Sequence, residues 1–195
     1  MDFRMLMYIL LTGVFVNNYV LQKFLGICPF LGVSKKFNQA SGMGIAVIFV
    51  MLCATAVTWP IQYFVLNPNG IGYLQTIVFI LVIAALVQFV EIILKKFIPA
   101  LHASLGVYLP LITTNCVVLG VAENNVKSAD LTFGNAMLTS LGVGIGFLVA
   151  MLVFAGVRSR IENAPAPKSF KGIPITLVAA AIVAMAFVAF KSFSF

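Results

Sequence analysis

The stretch Gly26-Ile27-Cys28-Pro29-Phe30-Leu31-Gly32-Val33 decides how this chain is read, because its pattern returns at Asn115-Cys116-Val117-Val118-Leu119-Gly120-Val121. Each copy has a cysteine, two further residues and then Leu-Gly-Val. In each, the first charge stands seven residues after the cysteine, at Lys35 and at Glu123. A second echo follows each copy: Gly42-Met43-Gly44-Ile45-Ala46 and Gly142-Val143-Gly144-Ile145-Gly146. The chain therefore divides into two halves, residues 1–97 and 98–195, each built around one cysteine.

Composition names the solvent. The 195 residues are 62% apolar and 9% charged, with a mean hydropathy of +1.12. Soluble domains run near 45–50% apolar and about 25% charged. Apolar runs of about 20 residues are long enough to cross a hydrocarbon layer of roughly 30 Å as helices. The expectation is an all-α polytopic membrane protein. The net charge of +7 does not indicate nucleic acid, because the basic residues fall in loops between apolar runs, as an orienting signal does. Asp2 and Arg4 precede an apolar run without a small-residue cleavage site, so no removable signal peptide is expected. Three cysteines, two of them inside apolar segments, give no framework of disulfides.

Six apolar segments are expected, at residues 5–26, 42–59, 71–94, 101–121, 133–157 and 173–190. Segment one carries Asn17, Asn18, Gln22 and Lys23 before Gly26 and Pro29. Segment four carries Pro110, Thr113, Thr114 and Asn115 before its cysteine. Both are too polar for plain lipid-facing spans, so helices one and four are expected to be interrupted, with Gly26 and Pro29 breaking one and Pro110 with Gly120 the other. Segments two and five have glycine-rich faces suited to close packing. Glu91 stands four residues before Lys95, a helical ion-pair spacing. Connections one–two, three–four and five–six hold Lys35, Lys36, Lys95, Lys96, Arg158, Arg160, Lys168 and Lys171, against Arg4, Lys127 and Lys191 on the other side. The richer side is cytoplasmic, which places both termini outside. Three spans per half make the second half enter from the opposite side, an inverted-topology repeat in which broken helices meet near the bilayer midplane.

Seven helical residues cover about 10 Å and half the hydrocarbon layer is about 15 Å. Each repeat cysteine is thus expected a few Å past the middle, from opposite sides. Breaking a helix in a membrane frees backbone polar groups, tolerable only where protein or ligand covers them. Cysteine as a small buried hydrophobe accounts for Cys53. For Cys28 and Cys116, matched breaks point instead to an iron–sulfur centre, which takes four cysteine ligands, so a second copy or a paralogous partner must supply two. A disulfide between the two is the competing chemistry. Lys23 is either a functional cation within the membrane or a lysine reaching for the interface. Asn17, Asn18, Thr113, Thr114 and Asn115 read as hydrogen bonders between helices rather than ion ligands. His102 and the Pro-rich strip 163–168 read as interfacial and loop, and Trp59 and Tyr63 as outer aromatic anchors. No zinc-protease, P-loop, dinucleotide-binding or Ser–His–Asp pattern stands in a suitable context.

The run Asn17-Asn18-Tyr19-Val20-Leu21-Gln22-Lys23-Phe24-Leu25-Gly26-Ile27-Cys28-Pro29-Phe30-Leu31-Gly32-Val33-Ser34-Lys35-Lys36, with Leu109-Pro110-Leu111-Ile112-Thr113-Thr114-Asn115-Cys116 and the loop ending Pro165-Ala166-Pro167, resembles the membrane-protein family shared by Rnf complexes and sodium-pumping NADH:quinone reductases. The likeness covers essentially the whole chain. Asn18 with Cys28-Pro29-Phe30, and the paired threonines before Asn115, are more similar to the A subunits of the Rnf branch. What the resemblance implies is an electron-relay component of an ion-translocating ferredoxin:NAD⁺ oxidoreductase. It implies a pseudo-symmetric pairing with the homologous E subunit of an Rnf complex, further partners in its B, C, D and G subunits, and coupling to Na⁺ or H⁺. It also implies that Cys28 and Cys116 are two ligands of a [2Fe–2S] cluster, or of a single iron, completed by the partner. Lys23, Pro29, Thr114 and Asn115 stand around that centre as supporting or ion-path candidates. The site would relay electrons between the B subunit on the cytoplasmic side and the flavin of the G subunit outside. The alternatives are a secondary transporter or permease, for which inverted repeats and broken helices are equally natural, a scaffold with inert cysteines, or the equivalent component of the quinone reductase.

Overall fold

A computed structural model describes residues 12–16, 18–34, 37–70, 72–97, 109–127, 132–161, 167 and 171–191. Among these there is helix, turn and irregular chain but no strand. Seven helices carry the architecture: α1 (Ile27–Val33), α2 (Phe37–Ile61), α3 (Gln75–Phe97), α4 (Leu109–Thr113), α5 (Cys116–Lys127), α6 (Phe133–Ile161) and α7 (Ile173–Lys191). A π-helical turn, Thr12–Val16, precedes α1.

Among the described residues three stretches are long and apolar enough to cross a bilayer: Gln39–Leu66, Gly72–Ile93 and Phe133–Ile161. A shorter apolar helix covers Ile173–Val188. These correspond to expected segments two, three, five and six. Segments one and four are interrupted, as anticipated. Asn17, Lys35, Lys36, His102 and residues 163–166 lie outside the described residues.

The bounds differ from expectation where local chemistry extends a helix. Segment two does not stop at Trp59. Pro60 sits inside α2 and lacks the N–H that would bond four residues back, yet the chain only loosens into the π-helical turn Gln62–Leu66. It ends at Gly70, whose left-handed conformation (φ 66°) lets its N–H reach the Asn67 carbonyl. Trp59 stacks on Tyr63, ring centroids 5.5 Å apart, and meets Phe133 edge-on at 5.4 Å. Those rings form an aromatic collar at the expected outer end.

The most extensive interface joins α2 to α6. Gly44 lies against Leu148, and Gly144 lies 2.9 Å (measured from the position a Cβ would take) from Ile48. Thr55 and Ser140 share a hydroxyl hydrogen bond of 2.7 Å. Partner numbers fall as α2 numbers rise, so the helices run antiparallel. The seam is built of small buried residues, Gly44, Thr55, Ser140 and Gly144 among them, while Gly142 and Gly146 of α6 face the π-helical turn of segment one instead. Small residues let backbones approach where no hydrophobic drive between helices exists. Asn125 of α5 donates to Ser140 Oγ (3.0 Å) and to the Ala136 carbonyl (3.3 Å), joining a third helix to the seam.

The remaining packing is reciprocal. The π-helical turn of segment one rests on α6, and α5 of segment four rests on α2; α3 packs on α2, α4 and α5, and α7 on α6 and the π-helical turn. Outward faces carry large apolar side chains, including Ile77, Ile80, Leu81 and Phe89 on α3 and Ile173, Ile182 and Met185 on α7. That inversion of the soluble pattern suits a lipid surround.

Candidate metal centre

Segment one unwinds after its π-helical turn because Asn18 offers the backbone a better arrangement. Its Oδ1 accepts from the N–H groups of Val20 (3.0 Å) and Leu21 (3.3 Å). Its Nδ2 donates to the carbonyls of Val14 (3.1 Å) and Gly146 (3.0 Å). One buried side chain thus makes four hydrogen bonds, its full donor and acceptor repertoire, and pins the turn to α6. The Leu25 N–H then reaches back to the Tyr19 carbonyl at 3.0 Å. Phe24 (φ 54°) and Gly26 (φ 80°) are both left-handed and redirect the chain into α1. Ile27 is the first residue of that helix and Cys28 the second. Pro29 is the third, not a breaker: in a first turn its missing N–H has no partner to lose.

Segment four breaks in a different place from the one the residues suggested. Pro110 sits harmlessly in the first turn of α4, and Gly120 lies inside α5. The interruption falls at Thr114 and Asn115. The Asn115 N–H bonds the Ile112 carbonyl (3.2 Å), closing α4. Its Oδ1 accepts from the Val117 N–H (3.1 Å), capping α5. Asn is among the residues that best satisfy the orphan donors of a helix start. Cys116 is therefore the first residue of α5, and its thiol faces the Thr114 carbonyl at 3.8 Å. Both repeat cysteines occupy the first turn of a helix that starts at a break.

The two breaks touch. A Cβ on Gly26 would stand 2.7 Å from Val117 Cγ2 and 2.9 Å from Asn115 Oδ1, and one on Gly120 would stand 2.9 Å from Leu25 Cδ1. Gly26 is two residues before Cys28, while Asn115 and Val117 flank Cys116. The stretches carrying the two thiols are thus packed on each other. Cys28 and Cys116 are both free and exposed on the protein surface, whereas Cys53 is free and half-buried within α2; the disulfide alternative is not what the chain holds. Among the described residues no third His, Cys, Asp or Glu gathers with them into a metal-binding group.

Of the supporting candidates, Asn115 is buried (3% exposed) and its Nδ2 finds no hydrogen-bond partner among the described residues. Thr114 is exposed beside Cys116, and Pro29 is buried beside Cys28. Lys23 is exposed in the turn between Asn18 and Gly26, its ammonium 4.0 Å from the centre of the Tyr19 ring, a contact worth about 0.5–2 kcal/mol.

Arg158 is a residue that charge counting misplaces. Counted among the loop cations, it is buried instead, and donates to the Leu31 carbonyl and to Ser34 Oγ (2.8 Å) at the end of α1. A cation suits a helix C-terminus, where carbonyls lack partners. The signal was present in the spacing: Phe147, Met151, Phe154 and Arg158 recur at helical intervals on one buried stripe.

The comparisons with known proteins agree with this anatomy. Residues 6–194 match the family model described as "Rnf-Nqr subunit, membrane protein". The chain is 53% identical over 186 residues to the A subunit of the Na(+)-translocating ferredoxin:NAD(+) oxidoreductase complex of Acetobacterium woodii, covering 95% of this chain and 96% of that one. It is 51% identical over 185 residues to the A subunit of the ion-translocating oxidoreductase complex of Syntrophotalea carbinolica, 95% of each. To the protein of the same description from Cereibacter sphaeroides it is 44% identical over 183 residues, 94% of each. The interrupted first and fourth segments, the glycine seam and the whole-length match lead to one assignment: the chain belongs to the Rnf-Nqr family of membrane proteins.

Proposed function

We propose that this chain is the A subunit of an ion-translocating ferredoxin:NAD⁺ oxidoreductase and carries half of an intramembrane iron–sulfur site. The observation that carries the reading is the contact of Gly26 with Asn115 and Val117, which sets the two cysteine-bearing helix starts side by side. Cys28 and Cys116 would each give a thiolate. Two more thiolates must come from elsewhere, as a four-cysteine site requires, and two free, exposed thiols are what a shared site needs. The homologous E subunit is the partner proposed for that surface, within a complex that also holds B, C, D and G subunits. The donor set fits the group in a second respect, since both cysteines are free and stand in the first turn of a helix, where unbonded backbone N–H groups favour a thiolate. When bound, the group, whether a [2Fe–2S] cluster or a single iron, supplies a one-electron relay across the membrane interior.

The chain's own residues hold that relay in place. Asn18 fixes the first break to α6, Asn115 caps the second, and Gly26 allows them to meet. The reciprocal contacts Gly44–Leu148 and Gly144–Ile48, with each interrupted segment packed on the long helix of the other half, support a six-span inverted repeat of residues 1–97 and 98–195. The protein would sit in the bacterial or archaeal cytoplasmic membrane with both termini outside. Coupling to Na⁺ or H⁺ would follow from added charge in a low-dielectric site biasing the breaks between two arrangements.

The test is iron and acid-labile sulfide analysis of the purified whole complex, with an EPR spectrum of the reduced form. Cys28→Ser and Cys116→Ser are each expected to abolish this signal and the iron that produces it, while Cys53→Ser leaves both. A complex whose iron and spectrum survive both repeat-cysteine changes would sink the relay and leave a permease.

A further inference from the structure

Resting on the shared-site reading, we infer that Lys23 is a docking point for the partner subunit, which covers it with a carboxylate presented at mid-membrane depth.

Depth decides what can pair with this lysine. Phe24, the next residue, lines an apolar groove together with Val20 and Ile27 on one wall and Leu177, Ala181 and Ala184 of α7 on the other. Those α7 residues straddle the middle of a helix of 19 residues, about 28 Å long. The turn that carries Lys23 therefore stands about 10–15 Å from either end of α7. A four-carbon stem falls short of that distance. The ammonium does not reach outward in any case: it lies back over the Tyr19 ring, 4.0 Å from its centre. A lysine stretching for the interface would do the opposite. Lipid headgroups stay outside the hydrocarbon core, so no phosphate meets the ammonium at this depth.

Nor does this chain balance the charge. Lys23 is exposed, and among the described residues the Tyr19 ring is the only partner of its ammonium. One ring attracts a cation by less than exposure at mid-membrane costs it. Of the chain's five acids, Glu91 and Glu123 belong to α3 and α5 and neither pairs with Lys23. Asp2, Asp130 and Glu162 stand outside the apolar segments of the sequence. Ionisable groups inside a membrane pair with one another, and the missing member here is an anion from another chain.

The surroundings say which chain brings it. Lys23 precedes Cys28 by five residues, and the ring beneath its ammonium packs beside Gly120, one turn past Cys116 on α5. A subunit that delivers ligands to both cysteines arrives at Lys23 as well. An aspartate or glutamate of that subunit would form a charge-assisted hydrogen bond with the ammonium. It would also fix the register of the two subunits, because a misplaced approach leaves two charges unpaired in hydrocarbon.

The experiment treats the whole complex, in membranes, with a lipid-soluble carbodiimide, which joins an amine to a carboxylate in contact with it. A C–N bond forms, and one carboxylate oxygen leaves in the urea made from the reagent. Mass spectrometry of the digest is expected to find Lys23 linked to an aspartate or glutamate of another subunit. In Lys23→Arg the link should vanish while the partner stays bound, since a guanidinium keeps the charge but is a poor nucleophile. In Lys23→Met the partner recovered per copy of this chain should fall severalfold on detergent purification, and in Lys23→Glu further still. A link to an acid of this chain overturns the inference, as does a digest with other links between subunits but none at Lys23. A K23E complex that keeps its full share of partner overturns it too. None of these readouts depends on iron. A wild-type complex without iron fails the shared-site reading, whereas an iron-bearing one with Lys23 unlinked fails this inference alone.

Discussion

Gly26 carries more of the site than either neighbour of the cysteines. Its φ of 80° suits glycine alone without strain, and a Cβ there would press on Val117 and on the capping oxygen of Asn115. The left-handed conformation costs an L-residue about 1–2 kcal/mol, and overpacking typically adds about 1–3 kcal/mol. Gly26→Ala is therefore expected to push the two breaks apart. Iron content per complex should fall further than the amount of complex in the membrane, a ratio measurable by metal analysis and immunoblotting. If the iron-to-protein ratio matched the wild type, the contact between breaks would not be what positions the thiols. Asn18 was legible as polar and out of place in a membrane segment. Its actual work, closing a turn and gripping the Gly146 carbonyl 128 residues away, was not, because the sequence carries no record of which distant carbonyl lies within reach.

At the scale of elements, the short helix α1 has little to hold it by itself. Seven residues make under two turns, and isolated helices of that length do not persist. Arg158 supplies an outside grip by donating to Leu31 and Ser34. Arg158→Ala would strand those acceptors, and hydrogen bonds to charged groups are worth about 1.5–3 kcal/mol. The expected outcome is a lower thermal midpoint for the complex and a broadened EPR line as Cys28 samples more positions. Arg158→Lys should recover only part of either, since an ammonium lacks the planar fork. An unchanged line shape in R158A would separate this clamp from the site. The buried glycines of α2 and α6 make a second contrast. A Cβ at Gly146 would meet the Gly13 backbone oxygen at 2.7 Å, whereas one at Gly44 meets only the Leu148 side chain. Backbone cannot give way as a leucine tip can. Gly146→Ala is expected to destabilise by about 1–3 kcal/mol and Gly44→Ala by clearly less, compared by thermal inactivation in detergent. The glycine pairs were legible because small residues at helical spacing have one common use in membranes. The break in segment four was misplaced because proline and glycine draw attention, while the capping asparagine that ends one helix and starts the next does not.

At the scale of the molecule, the antiparallel α2–α6 pair constrains how often the chain crosses the bilayer. Trp59 near the end of α2 meets Phe133 at the start of α6, so those ends share a side. The chain leaves α2, runs back through α3 to Lys95 and Lys96, and must return to the aromatic end before α6 begins. Between α3 and α6 the described chain holds α4, the break and α5. In the proposed six-span arrangement segment four is therefore a crossing even though it is broken, rather than a stretch that dips in and leaves by the same face. From this follows a sidedness that single-cysteine reporters read directly. Tyr73, between α2 and α3, is 83% exposed, and Lys171, before α7, is exposed too. In the proposed topology three crossings separate them, with Lys171 on the side of the basic ends of α3 and α6, the side proposed to be cytoplasmic. Tyr73→Cys is expected to react with a membrane-impermeant maleimide in intact cells, and Lys171→Cys only in inverted vesicles, each against the wild-type background of Cys28, Cys53 and Cys116. Reaction of both from one side would mean that segment four re-enters instead of crossing. The second half would then no longer be an inverted copy of the first, and two thiols arriving from opposite faces of the membrane would lose their structural basis.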